Sequence, residues 1–136
     1  MTNKYEGTFT INDIIGESTG ELYKGTFTIK KKLSYSDLLR LDQLRRDYLG
    51  GSNQENASAV AVGIANALAD LAVRVINAPS WWKDCNKGFD LVDDNVLQAI
   101  YDETMKLLEQ DKIEVEKKKE EAIAKIKASQ TEPTTP

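Results

Sequence analysis

The sequence contains no histidine and a single cysteine, Cys85. The absence of histidine excludes histidine-based acid–base catalysis, Ser–His and Cys–His nucleophile pairs and most transition-metal sites. A lone cysteine cannot form an intrachain disulfide, and without histidine or a second cysteine it is not predicted to be a nucleophile or a redox centre. The sequence therefore predicts a protein without enzymatic activity, and its cysteine usage favours an intracellular location.

The chain also lacks an apolar run long enough to span a membrane, and its first residues lack the apolar core of a signal peptide. Its formal net charge is −4 over 136 residues, so no basic field attracts nucleic acid or an anionic membrane. We therefore expect neither nucleic acid nor a membrane as a partner. The length predicts one domain with room for an additional arm or tail.

Acidic residues are frequent in the segment 84–95, but their spacing does not fit a calcium-binding loop. With Asp84 as the first ligand, Phe89 falls where the loop needs glycine and Asn95 falls where the bidentate glutamate belongs. The sequence therefore predicts no metal and no cofactor, and a small carboxylate-based enzyme is the least favoured interpretation. A turn glycine and two candidate helix caps remain in this segment: Gly88, Asp93 and Asp94.

The N-terminal part contains an internal repeat. Residues 5–11 return as residues 23–29 with six of the seven positions identical. Both copies alternate as half-buried strands do, with Tyr, Gly, Phe and Ile on one face and threonines on the other. Gly16 and Gly20 lie between the copies and indicate a turn. The repeat therefore predicts an antiparallel hairpin.

Two registers of this hairpin differ in what faces the phenylalanines. The favoured register places Phe9 opposite Gly25, so that an aromatic ring covers a glycine across the strands. The alternative places Phe9 opposite Phe27 and Ile14 opposite Leu22.

A hairpin of two strands is marginally stable alone, so it must pack on the helices or pair with another molecule. Packing on its own helical domain is the favoured interpretation. The alternative is an open edge that recruits a partner or a second copy by strand addition, with Phe9 and Phe27 as candidate contact residues. The lysines at 30–32 that follow are interpreted as a solvated strand end.

The first helix is predicted to begin after Ser34, because Ser34 and Asp37 have the spacing of a capping box, and to end at Gly50-Gly51. Asp42 and Arg46 lie four residues apart and are expected to form an ion pair. Arg45 and Arg46 are candidate partner contacts, although a solvated face is the favoured interpretation.

The segment 55–82 is predicted to form the centre of the core. A long helix, capped by residues 52–55, is expected to stop near Ala78, because the residue before Pro79 disfavours helical geometry. Its apolar stripe is rich in alanine, which lets neighbouring helices approach closely. The stripe comprises Ala57, Ala61, Ile64, Ala65, Leu68, Leu71, Ala72, Val75 and Ile76. Asp70 and Arg74 are expected to pair on the exposed side.

Two adjacent tryptophans, Trp81 and Trp82, follow Pro79. Neighbouring side chains on extended backbone point in opposite directions. One ring is therefore expected in the core, and the other is a candidate outward anchor for a partner.

The last helix is predicted to start at Asn95, with an apolar face that reaches Leu108. Beyond Gln110 it becomes rich in lysine and glutamate, which indicates a solvent-exposed helical extension. The predicted fold is α+β and mostly α: an N-terminal β-hairpin, three main helices, a charged arm and a disordered C-terminal tail. The corresponding regions are a hairpin at 1–32, a helical domain at 33–110, a charged helical extension at 111–128 and a flexible tail at 129–136.

The order of these elements resembles small bacteriophage morphogenesis proteins, particularly tail assembly chaperones. The similarity covers roughly residues 23–108, and its strongest marker is Ala78-Pro79-Ser80-Trp81-Trp82. The duplicated strand and the charged extension have no counterpart in that resemblance. A tail assembly chaperone escorts the tape-measure protein while tail-tube subunits polymerise.

The resemblance implies a non-enzymatic protein that binds phage tail proteins in the host cytoplasm during assembly. A groove between small-residue helices, flanked by Trp81 or Trp82, would hold a helix of the tape-measure protein. The alternative is a structural component of the virion, either capsid-associated or at the head–tail junction. In that case the hairpin would add to a neighbouring sheet and the arm would run along the assembly.

Overall fold

The computed structural model describes residues 4–50 and 57–131. The strands are β1 (Glu6–Ile15), β2 (Leu22–Lys30) and β3 (Val75–Asn77), and the helices are α1 (Tyr35–Tyr48), α2 (Ala59–Arg74), α3 (Ser80–Asp84) and α4 (Asp94–Thr131). The predicted class, an N-terminal hairpin followed by helices, is confirmed. The boundary of the predicted tail is wrong at its start, since residues 129–131 continue α4. The rest of that tail lies outside the described residues.

The sheet is antiparallel with the order β1-β2-β3. Phe9 pairs with Phe27, so the favoured register is wrong and the alternative is correct for this pair. The two rings stack with centroids 5.1 Å apart. Gly25 is covered by Pro79 rather than by a ring, because a Cβ atom on Gly25 would lie 2.8 Å from Cβ of Pro79. The two phenylalanine rings therefore contact each other, while Pro79 covers Gly25.

The alternative register fails beyond Ile11, because β1 contains a bulge between Ile11 and Ile14. Asp13 in the bulge has a φ of 44°, and Ile14 consequently pairs with Tyr23 rather than with Leu22. A bulge adds one residue to one strand and shifts every later pair.

The two faces of the hairpin follow the predicted alternation. The face toward the helices is buried and contains Phe9, Ile11, Tyr23, Phe27 and Ile29. The other face contains threonine pairs across the strands, with hydroxyl oxygens 3.4 Å apart for Thr8–Thr28 and 3.1 Å apart for Thr10–Thr26. The hairpin packs on its own helical domain, as the favoured interpretation expected.

The core lies between this face of the sheet, α3 and the first turns of α4. Leu71, Trp82, Val96 and Ile100 join the five hairpin residues in it. The prediction that residues 55–82 form the centre of the core holds for the part from Ala65 onward, which supplies seven of the fourteen buried apolar residues in the described chain. It fails for the first turns of α2. The first half of α2 lies away from the sheet and leaves Val60 and Ile64 exposed.

Helix α2 also begins and ends elsewhere than predicted. Its N-cap is Ser58, whose hydroxyl accepts a hydrogen bond from the backbone N–H of Ala61 at 3.1 Å. The cap predicted at 52–55 lies outside the described residues. The helix stops at Arg74, and Val75–Asn77 form β3, in which Val75 pairs with Ile29. β-branched residues ahead of Pro79 favour extended backbone, and β2 offers them a pairing edge.

Helix α1 begins as predicted. The Ser34 hydroxyl accepts from the Asp37 backbone N–H at 3.2 Å, and the Asp37 carboxylate accepts from the Ser34 N–H at 3.0 Å. Asp42 binds the guanidinium of Arg45 at 2.7 Å and that of Arg46. The predicted ion pair is confirmed, and Arg45 shares it.

Two charged groups are less solvated than predicted. Each lysine at 30–32 pairs with a carboxylate: Lys30 with Asp37 at 2.8 Å, and Lys31 and Lys32 with Asp111 at 3.8 and 2.7 Å. Arg74 binds Asp70 at 2.9 Å, and both side chains are largely buried. Arg74 also donates to the backbone carbonyl of Lys30 at 3.0 Å, which ties α2 to the end of β2.

Helix α4 starts one residue before the predicted position. Val96, Ile100 and Thr104 are buried, while the part after Asp111 is almost entirely exposed. We call residues 112–131 the arm. The predicted charged helical extension is confirmed. Within the described parts of the chain, no helix is long and apolar enough to cross a membrane.

Candidate functional site

The two tryptophans do not form an outward anchor. They lie on α3 rather than on extended backbone, so their side chains do not point in opposite directions. Trp82 is buried and Trp81 is half-buried. Both rings meet Phe27 edge to face, with centroids 5.8 Å and 5.6 Å away. The Trp81 indole donates to the backbone carbonyl of Lys24 at 2.9 Å, so the pair fastens α3 to β2.

The six predicted contact residues do not come together. Phe9, Phe27 and Trp82 are buried in the core with Trp81 beside them, which corrects their expected role as partner contacts. Arg45 and Arg46 lie on α1 and bind Asp42. Arg46 is exposed, and Arg45 is half-buried and lines a cavity beside the groove described next.

An open groove separates the first half of α2 from the start of α4, and we call it the α2–α4 groove. It has a volume of about 500 Å³. Its apolar walls are formed by Val60 and Ile64 on α2 and by Leu97 and Tyr101 on α4. Val60 is 72% exposed and Ile64 is 50% exposed, although both belong to the helix that buries most of its C-terminal half.

The side of the groove formed by α2 is shallow, because several of the residues that line it, such as Gly63 and Ala67, are small. A Cβ atom added to Gly63 would meet no atom within 4 Å. Gly63 is therefore not in close contact with another helix of the described chain. The space beside Gly63 is open, and it can accept side chains from outside the molecule.

The groove continues toward α1. A neighbouring cavity of about 200 Å³ shares Asn66 and Tyr101 with it and extends to Leu41, Arg45 and Asp70. One oxygen of Asp70 binds Arg74, whereas Oδ2 is buried and accepts no hydrogen bond from any described residue. At the opposite end of the groove stands the exposed carboxylate of Asp94.

The groove therefore combines apolar walls with the exposed carboxylate of Asp94 at one end. This arrangement suits an amphipathic helix that inserts apolar side chains between α2 and α4 and carries basic residues beside them. The stripe predicted on α2 is mostly packed inside the molecule, because Ala65, Leu68, Leu71 and Ala72 are buried. Only its Ile64 lines the groove, so the sequence did not locate this surface.

A second cluster surrounds the buried carboxylate of Asp93. Asp93 accepts hydrogen bonds from the backbone N–H groups of Ser18 and Thr19 at 2.7 and 3.0 Å, from the Thr19 hydroxyl at 2.7 Å and from the Tyr23 hydroxyl at 2.9 Å. Burial opposes ionisation of Asp93, but these hydrogen bonds outweigh it and lower its pKa. Burial, together with the bond to Asp93, raises the pKa of Tyr23 to about 12.

This cluster is structural. Asp93 does not cap α4 through its side chain as predicted, although its backbone carbonyl accepts from the N–H of Val96 at 3.1 Å. Asn95 completes the contact with the hairpin loop, because it donates to the Ile15 carbonyl at 2.9 Å and accepts from the Glu17 N–H at 3.0 Å. Two side chains just before and within α4 therefore hold the loop between β1 and β2.

Cys85 lies on the turn that follows α3. Burial, followed by the nearby charge of Asp84, raises the pKa of the Cys85 thiol, and the thiol donates to the Trp81 carbonyl at 2.9 Å. In residues 4–50 and 57–131, no group of three or more His, Cys, Asp and Glu side chains is placed to hold a metal ion.

Comparison with protein families, with curated proteins and with solved structures found no match to this chain.

Proposed function

We propose that this protein acts in bacteriophage morphogenesis as a tail assembly chaperone, and that its α2–α4 groove binds an amphipathic helix of the tape-measure protein. The observation that carries the proposal is the exposure of Val60 and Ile64 beside the open space at Gly63. Apolar side chains in a concave surface favour the binding of another protein, because the contact removes their surface from water.

The proposal moves the binding surface away from the tryptophans. Trp81 and Trp82 support the fold, whereas Leu97 and Tyr101 face the groove and take the role of contact residues. Binding here needs no reaction and no cofactor. It uses the helix-in-groove mode, in which apolar residues at helical spacing enter a cleft between two helices.

A binding experiment tests this proposal directly. The chain and a tape-measure fragment from the same phage are co-expressed, and the amount of fragment that co-purifies is measured. Val60→Asp places a charge in the groove and is expected to abolish co-purification. Val92→Asp is the matched control, because Val92 is 65% exposed and lies in the loop before α4, outside the groove.

The outcomes are distinct. Loss of binding for Val60→Asp with retention for Val92→Asp supports the proposal. Equal binding by the wild-type chain and by Val60→Asp contradicts the assignment of the groove.

A structural role in the virion is the second candidate, and the open edge of β1 favours it. The Lys31 N–H donates to the Tyr5 carbonyl at 2.6 Å. Strand alternation then turns the backbone groups of Glu6, Thr8 and Thr10 away from β2. Since β1 is the first strand in the sheet order, these groups face an edge that could accept a strand from a neighbouring capsid or head–tail protein.

Quantitative peptide mass spectrometry of infected cells and of purified particles separates the two candidates. A chaperone is abundant in lysate and missing from particles. A fixed copy number per particle would reject the chaperone and support the structural component.

A further inference from the structure

Helix α4 carries an apolar stripe that runs from the half-buried Leu108 into the arm, which is almost entirely exposed. Leu108, Val115, Ala122 and Ile126 recur at intervals of seven, seven and four residues, which places them on one face of the helix. Ile126 is 56% exposed. This face is the continuation of the one that lines the α2–α4 groove through Leu97 and Tyr101.

The arm cannot reach the groove of its own molecule. Both belong to one continuous helix, Asp94–Thr131, with the groove at its start and the arm at its end. The arm of 20 residues extends about 30 Å, while the part of α4 from Asp94 to Met105 spans only about 17 Å. A second copy of the chain can therefore supply an arm that is long enough to fill the groove.

The charges of the two surfaces are complementary. The arm contains six lysines and four glutamates, so it is positive, whereas the whole chain has a net charge of −4. Among the described residues that line the groove, Asp94 is the one that carries a charge. Lys112 and Lys119 follow Leu108 and Val115 by four residues each, so they lie on the same face of the arm as the apolar stripe and give that face a positive charge.

We propose that the free protein is a twofold-symmetric dimer in which each copy places its arm in the α2–α4 groove of the other. Because groove and arm share one face of one helix, antiparallel pairing of the two α4 helices makes both contacts with a single symmetry axis. In such a pairing Leu97 lies opposite Ile126 of the second copy, and Leu108 lies opposite Val115. Tyr101 then lies opposite Ala122 as a third apolar layer, whereas Lys119 falls opposite Thr104 and Lys112 opposite Asp111.

The inference rests on the proposed function in one respect. In the free protein the arm of the second copy occupies the same groove, and a tape-measure helix must displace that arm in order to bind. The groove would then be covered until its partner is made. Exposed apolar surface is a risk for aggregation, and mutual coverage by the arms removes that risk.

Sedimentation of the full chain over a concentration series tests the dimer. The wild-type chain is expected to convert from monomer to dimer as concentration rises. Ile126→Asp on the arm and Ile64→Asp in the groove should each raise the dimer dissociation constant at least about tenfold, because each places a charge in the apolar contact. Circular dichroism verifies that each variant stays folded.

Ile113→Asp is the matched control. Ile113 lies on the same arm with a similar exposure of 51%, but thirteen residues from Ile126, which turns it to a different face of the helix. Its variant should dimerise like the wild type. A mixture of Ile126→Asp and Ile64→Asp should associate more tightly than either alone, because one intact arm then meets one intact groove.

A wild-type chain that stays monomeric at every concentration would overturn the inference, as would an equal loss for Ile113→Asp and Ile126→Asp. Binding of the tape-measure fragment is measured separately, so the two proposals can fail independently. A monomer that binds the fragment rejects only the dimer, and a dimer that does not bind it rejects only the chaperone. If both are correct, Ile126→Asp binds the fragment more tightly than the wild type.

Discussion

The hydroxyl of Tyr23 donates a 2.9 Å hydrogen bond to the carboxylate of Asp93, and both side chains are buried. This bond joins the start of β2 to the residue that precedes α4. The same carboxylate accepts from the backbone of Ser18 and Thr19. Gly16 lies so close that a Cβ atom there would overlap Asp93. The hairpin loop is therefore fitted around one carboxylate from the other half of the chain.

Removal of this bond should destabilise the whole fold. We expect Tyr23→Phe to lower the free energy of unfolding by about 2 kcal/mol, the typical value for a buried hydrogen bond to a charged group. Asp93→Asn should cost more, because the amide cannot accept from four donors. Urea unfolding measures both changes. Asp94→Asn is the control, and a loss as large as that of Asp93→Asn would show that the buried contacts are not responsible.

Stability should fall in acid because of Asp37 and Asp93. Hydrogen bonds from Lys30 and from the Ser34 backbone lower the pKa of Asp37 to about 2, and the hydrogen bonds to Asp93 lower its pKa despite burial. A folded-state pKa below the unfolded value stabilises the fold above the unfolded pKa of about 4. This contribution is lost as the pH falls through the folded pKa.

Urea midpoints between pH 7 and pH 2.5 measure this loss. The midpoint should stay level down to about pH 5 and then decrease. Asp93→Asn should show a shallower decrease than the wild type, because one of the aspartates with a lowered pKa is gone. An unchanged slope in that variant would assign the acid sensitivity to other carboxylates.

Local signals in the sequence predicted local structure well. The alternation in the two repeats predicted β1 and β2, and the spacing of Ser34 and Asp37 predicted the start of α1. Each of these signals depends on residues within a few positions of one another, so a single sequence contains it.

Features that depend on packing were predicted less well. The register was missed because Pro79, far along the chain, covers Gly25 and leaves the two phenylalanines free to stack. The role of Asp93 was missed because a carboxylate before a helix equally suits a cap. The α2–α4 groove was not located from the sequence, since only Ile64 of the predicted stripe lines it, and its position depends on where α4 packs.

The thiol of Cys85 should react slowly in the native protein. Burial raises its pKa, so less thiolate is present at neutral pH, and the thiolate is the reactive form. The rate of modification by a chromogenic disulfide reagent at pH 7.5 is expected to be lower for the native chain than for the chain in urea. The denatured chain is the control, and equal rates would mean that the native fold does not protect the thiol.

The two glycines of the repeat should respond differently to alanine. Gly25 has a φ of 151°, which disfavours side chains, and its Cβ atom would overlap Pro79. Gly7 has ordinary backbone, and its Cβ atom would lie 3.2 Å from a methyl carbon of Leu107 and from the flexible chain of Lys31. We therefore expect Gly25→Ala to cost about 2–4 kcal/mol in unfolding free energy and Gly7→Ala less than about 1 kcal/mol.

Urea unfolding of both variants compares the cost of alanine at equivalent positions in the two copies of the repeat. Each variant adds the same methyl group at the equivalent position of two copies that are identical at six of seven residues, so differences in strand propensity largely cancel. The remaining difference reports on what each strand packs against: a proline fixed at the start of α3 for Gly25, and side chains able to shift for Gly7. Equal losses of unfolding free energy for the two variants would contradict this prediction. They would mean that neither the φ of Gly25 nor its contact with Pro79 makes alanine more costly there than at Gly7.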